Sequence, residues 1–167
     1  MLGFALLMAC KTPPPPDVDP YPGEEVYEEE APKPGASLNV SQEVYDFTLA
    51  EVKQFVNELN AVIQKKNYNG WKNALSEEFF ARISSPEFLA NASNTSMLKS
   101  QKIVLKTPND YFTNVVVPSR SNSRVDEIEF TAINRVKVFY LEERRTESRR
   151  LRLYELIKID DTWKVID

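Results

Sequence analysis

Two different periods run along the chain. Between Thr48 and Lys66 the apolar residues Leu49, Val52, Phe55, Val56, Leu59, Val62 and Ile63 recur three and four positions apart, the one-sided stripe of an amphipathic helix. Thr48 with Glu51 has the capping-box pattern at its start, and Asn67, Asn69 and Gly70 mark its end. A short segment around Trp71, Ala74 and Leu75 follows. Ser76 with Glu77 and Glu78 opens a further helical turn carrying Phe79, Phe80 and Ile83. Ser85-Pro86-Glu87 places a cap residue before a proline at the first helical position, a strong start signal. Residues 91–123 carry no clear period, and Asn109 to Val117 reads as a short helix or a strand between Pro108 and Pro118.

In the last third the period falls to two. Ile128, Phe130, Ala132, Val136, Val138 and Tyr140 are all even-numbered, whereas Glu127, Glu129, Thr131, Arg135 and Lys137 point the other way. This predicts one long strand, or two joined by a bulge, with one packed face. After a charged turn at residues 142–148, Leu151, Leu153, Ile157 and Ile159 are expected to line one face of the next strand. A three-residue turn at Asp160 to Thr162 would set Ile159 opposite Trp163 and Ile157 opposite Val165. Helices first and antiparallel strands afterwards make an α+β domain, with N-terminal helices packed on a curved antiparallel sheet.

The first 37 residues belong to neither pattern. Eight of the eleven prolines lie between Pro13 and Pro34, and residues 11–36 hold seven acidic side chains against Lys11 and Lys33. Such a stretch cannot bury enough apolar surface to order itself and reads as an extended, solvated leash, with Val26-Tyr27 as its one apolar pair. From Ser37 onward 19 basic residues meet 18 acidic ones, and a nearly neutral domain argues against nucleic acid as a partner. Ahead of the leash, Leu2 to Ala9 is apolar or small and ends at Cys10, the only cysteine. Eight residues cannot span a bilayer, which takes about 20 as a helix, but they suit the core of an export signal. No Lys or Arg precedes them, which points either to a start upstream of Met1 or to an atypical signal. The expected organisation is a signal at residues 1–9, a lipidated Cys10 and acidic linker at 10–37, and a domain at 38–167.

Leu7-Met8-Ala9-Cys10 resembles the bacterial lipobox. That resemblance implies cleavage before Cys10, acylation of its sulfur, and residence in the cell envelope, lipid-anchored to the inner or outer membrane. Lys65-Lys66-Asn67-Tyr68, Trp71, Leu75-Ser76-Glu77-Glu78-Phe79 and the close Asp160-Asp161-Thr162-Trp163-Lys164-Val165-Ile166 resemble the NTF2-like (SnoaL-like) superfamily over residues 45–167. The implied fold is a cone in which helices pack into the hollow of a strongly curved sheet around a cavity. Ser84-Ser85-Pro86-Glu87-Phe88-Leu89, Tyr111-Phe112 and Val115-Val116-Val117-Pro118-Ser119-Arg120 look like spirochaetal lipoproteins of unknown function.

Candidate chemistry is sparse. Histidine is absent, which removes the usual proton shuttle and the commonest metal ligand; no metal-site spacing, phosphate-binding glycine loop or nucleophilic triad appears, and no cofactor is expected. Asn134 and Glu155 interrupt the expected packed faces, with Tyr68, Trp71 and Tyr140 as further candidates to line a cavity. Glu155, flanked by Leu153 and Ile157, is the best candidate acid or base, although pairing with Arg149, Arg150 or Arg152 would give it a structural role. Arg135, Lys137, Arg144, Arg145, Arg149, Arg150 and Arg152 are expected on the outward face, as a solvated hairpin or a dock for an anionic partner. The leading reading is a membrane-anchored lipoprotein whose domain binds a small apolar ligand, an envelope protein or a second copy of itself. A small hydrolase or isomerase built on Glu155 is the alternative.

Overall fold

The computed structural model describes residues 38–143 and 148–167. The expected signal, Cys10, the linker, and Arg144 and Arg145 lie outside those residues. The helices are α1 (Gln42–Gln64), α2 (Tyr68–Asn73), α3 (Glu77–Ile83), α4 (Pro86–Ser93), α5 (Ser96–Ser100), α6 (Pro108–Tyr111) and α7 (Val117–Arg120), the last two joined by a π-helical turn, Phe112–Val116. The strands β1 (Glu127–Ala132), β2 (Arg135–Glu143), β3 (Ser148–Ile159) and β4 (Thr162–Val165) follow. They form an open antiparallel sheet in the order β1-β2-β3-β4, so the chain is α+β.

The first helix begins two turns before the position expected from Thr48. Ser41 caps it, its hydroxyl accepting the Val44 N–H at 3.3 Å, while Thr48 is buried inside the helix. The apolar stripe extends back through Tyr45, whose ring packs on the core, and that packing outweighs the cap signal at Thr48. Ser76 and Ser85 cap α3 and α4 through the N–H groups of Phe79 and Phe88. Asn67 starts α2 by accepting the Gly70 N–H, and Gly70 lies close enough to Asn67 and Val62 that a Cβ there would crowd both.

The core lies between α1 and the helix-facing side of the sheet. Val52, Val56, Leu59 and Ile63 of α1 join Ile128, Phe130, Val136, Val138, Leu156 and Val165 in one buried cluster. A smaller cluster of Leu89, Leu98 and Leu105 sits under α4 and α5, bridged to the first by the edge-to-face pair Phe88–Tyr111 at 5.2 Å. Both sheet edges are covered, which removes a template for unwanted strand pairing. Beside β4, Ser76 donates to Val165 O and Val165 donates to Ala74 O, each at 2.9 Å. Beside β1, Leu38 donates to Phe130 O and Ile128 donates to the Tyr45 hydroxyl.

Three expectations about the strands are corrected. The first long strand is a hairpin turning at Ile133 and Asn134, with Ala132 paired to Arg135. The inward face of β3 changes at Leu153, where the register shifts: Tyr140 pairs with Leu151, but Val138 pairs with Tyr154 and Val136 with Leu156. Tyr154 and Leu156 therefore face the helices, and Glu155 and Ile157 face away. The β3–β4 turn has two residues, giving Lys158 opposite Trp163 and Leu156 opposite Val165. Asp160 (φ 46°) and Asp161 (φ 57°) both adopt the left-handed conformation that such a turn requires.

Left-handed backbone strains L-residues by about 1–2 kcal/mol, although Asp bears it better than most, and the greater freedom of unfolded glycine returns about half of any gain. Asp161→Gly is thus expected to stabilise the domain by about 0.5–1 kcal/mol, read as a higher urea midpoint at unchanged slope. A lower midpoint would mean that the aspartate side chain holds the turn.

Candidate functional site

The helical run Pro108–Arg120 delivers polar side chains to the open end of the sheet. Thr107 and Asp110 make a reciprocal capping box at its start, and the N–H groups of Lys106 and Thr107 together with the Thr107 hydroxyl hold the Asp110 carboxyl below its ordinary range. Pro118 lies inside the run rather than ending it. A proline lacks an N–H and clashes with the carbonyl four residues back; the π-helical turn just before it, with the Val117 N–H donating to Phe112 O, widens the helix where that clash would fall. The segment after Arg120 is pinned to α1. Asn60, buried within the apolar stripe, donates to Ser123 O at 2.7 Å and accepts the Ser123 N–H at 3.2 Å, and Gln64 donates to Ser121 O.

Between this segment and β2–β3 opens a groove of about 590 Å³, lined among others by Ser119, Arg120, Ser123, Arg124, Tyr140 and Leu153. The Arg120 guanidinium stands 5.7 Å over the ring of Tyr154. Tyr154 is buried, and its hydroxyl has Ser123 beside it but makes no hydrogen bond of good geometry. Burial pushes that hydroxyl above the ordinary tyrosine range, with Ser123 and Arg120 pulling against it, so it stays protonated and can only donate or accept a hydrogen bond. One rim is a fork: Arg124 donates to Asp126 and to Leu141 O, and Asp126 accepts the Leu141 N–H at 2.8 Å. This set, with Glu142 and Glu143 completing the lining, offers charges of both signs, hydroxyls and an apolar wall, the means to bind a polar group.

The sequence-predicted residues disperse. Tyr68, Trp71 and Phe112 stack on one another, with Trp71 and Phe112 4.9 Å apart, and fill the space where a cavity was expected. Tyr140 alone of the candidate cavity residues lines the groove. Asn134 is an exposed turn residue, its carbonyl accepting the Lys158 N–H at 2.7 Å, because the hairpin places it outside either strand. Glu155 lies on the face away from the helices, where Arg135 grips it at 2.7 Å and Arg152 stands 3.8 Å off. Neither Asn134 nor Glu155 therefore belongs to an inward-facing site.

On that same outer face Arg150 bridges Glu127 and Glu129 at 3.0 Å each and lies 3.5 Å over the ring of Phe139. Arg152 binds Asp167, which also takes Arg82. Lys137 shares this face, whereas Arg149, paired with Glu142 across the ladder, falls by alternation on the opposite one. Sequence reasoning overlooked Phe139, 2% exposed although odd-numbered, as well as Asn60 and Arg120. Asn60 was detectable as a polar residue within the helical stripe; nothing local marks the other two.

No protein-family model matches the chain, and no solved structure matches it. It is 31% identical over 130 residues to an uncharacterized lipoprotein of Treponema pallidum (strain Nichols), an alignment covering 78% of this chain. The chain is a homologue of this spirochaetal lipoprotein. It spans 66% of the homologue's length, just under two thirds. Among the described residues no helix is long and apolar enough to cross a membrane.

The rim fork makes a pH prediction. Burial alone would raise the Asp126 carboxyl, but the Leu141 N–H and Arg124 outweigh it and the net shift is downward. A depressed carboxyl contributes stability that is complete above its unfolded value and lost as pH falls through the native one. Asp126→Asn should cost about 1–2 kcal/mol at pH 7. That deficit should be constant above about pH 5 and shrink at lower pH, as read by urea midpoints. A deficit independent of pH would show that Asp126 acts through its shape alone.

Proposed function

We propose that the protein is an envelope lipoprotein, attached through an acylated Cys10, whose domain at residues 38–167 binds a ligand or protein without transforming it. The carrying observation is the apolar run closing on Leu7-Met8-Ala9-Cys10 in a chain whose 31% identical homologue is itself a lipoprotein. Two acyl chains on one residue make a durable anchor where one would be marginal, and a leash of about 27 residues (Lys11 to Ser37) then separates anchor from domain.

Binding is favoured over catalysis by the environment of Glu155. An acid or base needs a reachable proton and a free partner position, whereas Glu155 is committed to Arg135 on the solvent side of the sheet. The groove at Arg120, Tyr140 and Ser123 is the better place for a ligand, with a polar group as the chemistry it suits, since Glu142 and Glu143 line it alongside Arg120 and Arg124. The NTF2-like reading draws support from helices that precede an antiparallel meander and from the register shifts at β1–β2 and β2–β3, since bulges bend sheets. The interior between helices and sheet is packed with side chains, so a ligand would bind at the mouth.

Mass spectrometry of the protein extracted from membranes tests the anchor. The expected N-terminal peptide begins at Cys10 and carries acyl mass, and Cys10→Ser should leave the chain unacylated with residues 1–9 uncleaved. An unmodified Cys10 behind a retained Leu2–Ala9 stretch would refute the attachment.

A further inference from the structure

A second groove lies away from the Arg120 site. It has a volume of about 780 Å³ and is bounded by α4, α5 and the segment after α5. Its apolar lining includes Leu89, Ile103, Val104 and Leu105, and Val104 is 66% exposed although apolar. Lys99, Lys102 and Lys106 stand around it, and no acidic residue lines it. Among the described residues no carboxylate forms a salt bridge with Lys99 or Lys102, while Lys106 has Asp110 near it. The wall is fixed in place: Leu105 donates to the Ser93 hydroxyl at 2.8 Å, Ile103 donates to Leu98 O at 2.9 Å, and Lys102 turns the corner in the left-handed conformation (φ 56°). A preformed basic groove with an apolar floor fits an acidic segment that carries apolar side chains.

The chain itself contains such a segment. Glu24, Glu25, Glu28, Glu29 and Glu30 flank Val26 and Tyr27, the one apolar pair between two charged clusters. We propose that the groove bounded by α4 and α5 receives this acidic stretch of the same chain, with Val26 and Tyr27 on the apolar floor and the glutamates against Lys99, Lys102 and Lys106. Leu38, held at the β1 edge, lies eleven positions after Tyr27, and an extended chain of that length spans about 36 Å. Docking would hold the domain close to its leash at low ionic strength and release it as salt screens the exposed pairs.

The test uses residues 10–167 with Cys10→Ser, so its outcome is independent of acylation and of the reading of Cys10 as an anchor. Backbone amide resonances of residues 17–30 are compared with those of Lys99→Glu/Lys102→Glu and of Val26→Ser/Tyr27→Ser. The second pair lies outside the described core, so far-ultraviolet circular dichroism of that variant should match the parent's. In the parent chain these resonances should be broadened and shifted at low salt, and both variants should return them to sharp, unstructured positions. Reversing the five glutamates to lysine should release the segment, and combining that change with the lysine reversals should restore docking. Identical resonances in parent and variants, or broadening that grows with protein concentration because the segment binds a second copy, would overturn the proposal.

Discussion

An extra residue at Leu153 decides which side chains of β3 the helices can cover. Strand side chains alternate, so without the register shift the inward set would continue from Leu151 and Leu153 to Glu155 and Ile157. Burying that carboxylate would cost several kcal/mol, and Tyr154 and Leu156 would be left in water. The shift instead hands the inward face to Tyr154 and Leu156, opposite Val138 and Val136. The two-residue turn at Asp160 and Asp161 locks the same register from the other end, since it alone brings Leu156 opposite Val165 and Lys158 opposite Trp163. Lys158 then reaches Glu51 of α1 at 2.9 Å, tying the first helix to the strand whose facing the bulge has set.

The same shift organises the outer face. With Glu155 outside, Arg135 and Arg152 have a carboxylate between them, and Arg150 closes on Glu127 and Glu129 over Phe139. Phe139 is nearly inaccessible although no helix covers it, because guanidinium planes lie well on aromatic rings and long basic side chains shield apolar surface with their stems. The arginines of this face are therefore occupied by neighbouring acids and act mainly to seal the sheet. Arg120, Lys99 and Lys102, by contrast, form no salt bridge with a carboxylate among the described residues, and each lines a groove.

Signals that act within a few residues were legible in the sequence. Ser76 and Ser85-Pro86 cap helices where a short side chain can reach an N–H three residues on, and the even-numbered stripe of Ile128, Phe130, Val136 and Val138 faces the core. Alternation survived the hairpin only because its turn has two residues and the bulge in β1 offsets one position; the turn itself at Ile133 and Asn134 left no mark on the pattern. The change at Leu153 was illegible for a different reason. Odd and even apolar positions both occur in Leu151-Arg152-Leu153-Tyr154-Glu155-Leu156-Ile157, and which set turns inward depends on pairing with β2, a long-range choice. Once the wrong set was taken, Glu155 looked buried and a catalytic role followed. The Arg120 groove was hidden for a similar reason, as it joins a helix end to strands 20 and 33 residues further on.

From Ser37 onward the chain is nearly neutral, and its described part is well packed. The mixed signs on the outer sheet face cancel locally, so a membrane of either charge exerts little net pull on it beyond a Debye length of about 8 Å. What distinguishes one end of the described body from another is then its two grooves, one ringed by Lys99, Lys102 and Lys106 and the other lined by arginines and glutamates together. Screening makes charged contacts there reversible, whereas the core that frames them rests on apolar burial and is indifferent to moderate salt. The two grooves draw on different parts of the chain, one on the clamp from Asn60 to Ser123 and the other on the bond from Ser93 to Leu105. A change at one is therefore expected to leave the other's geometry intact.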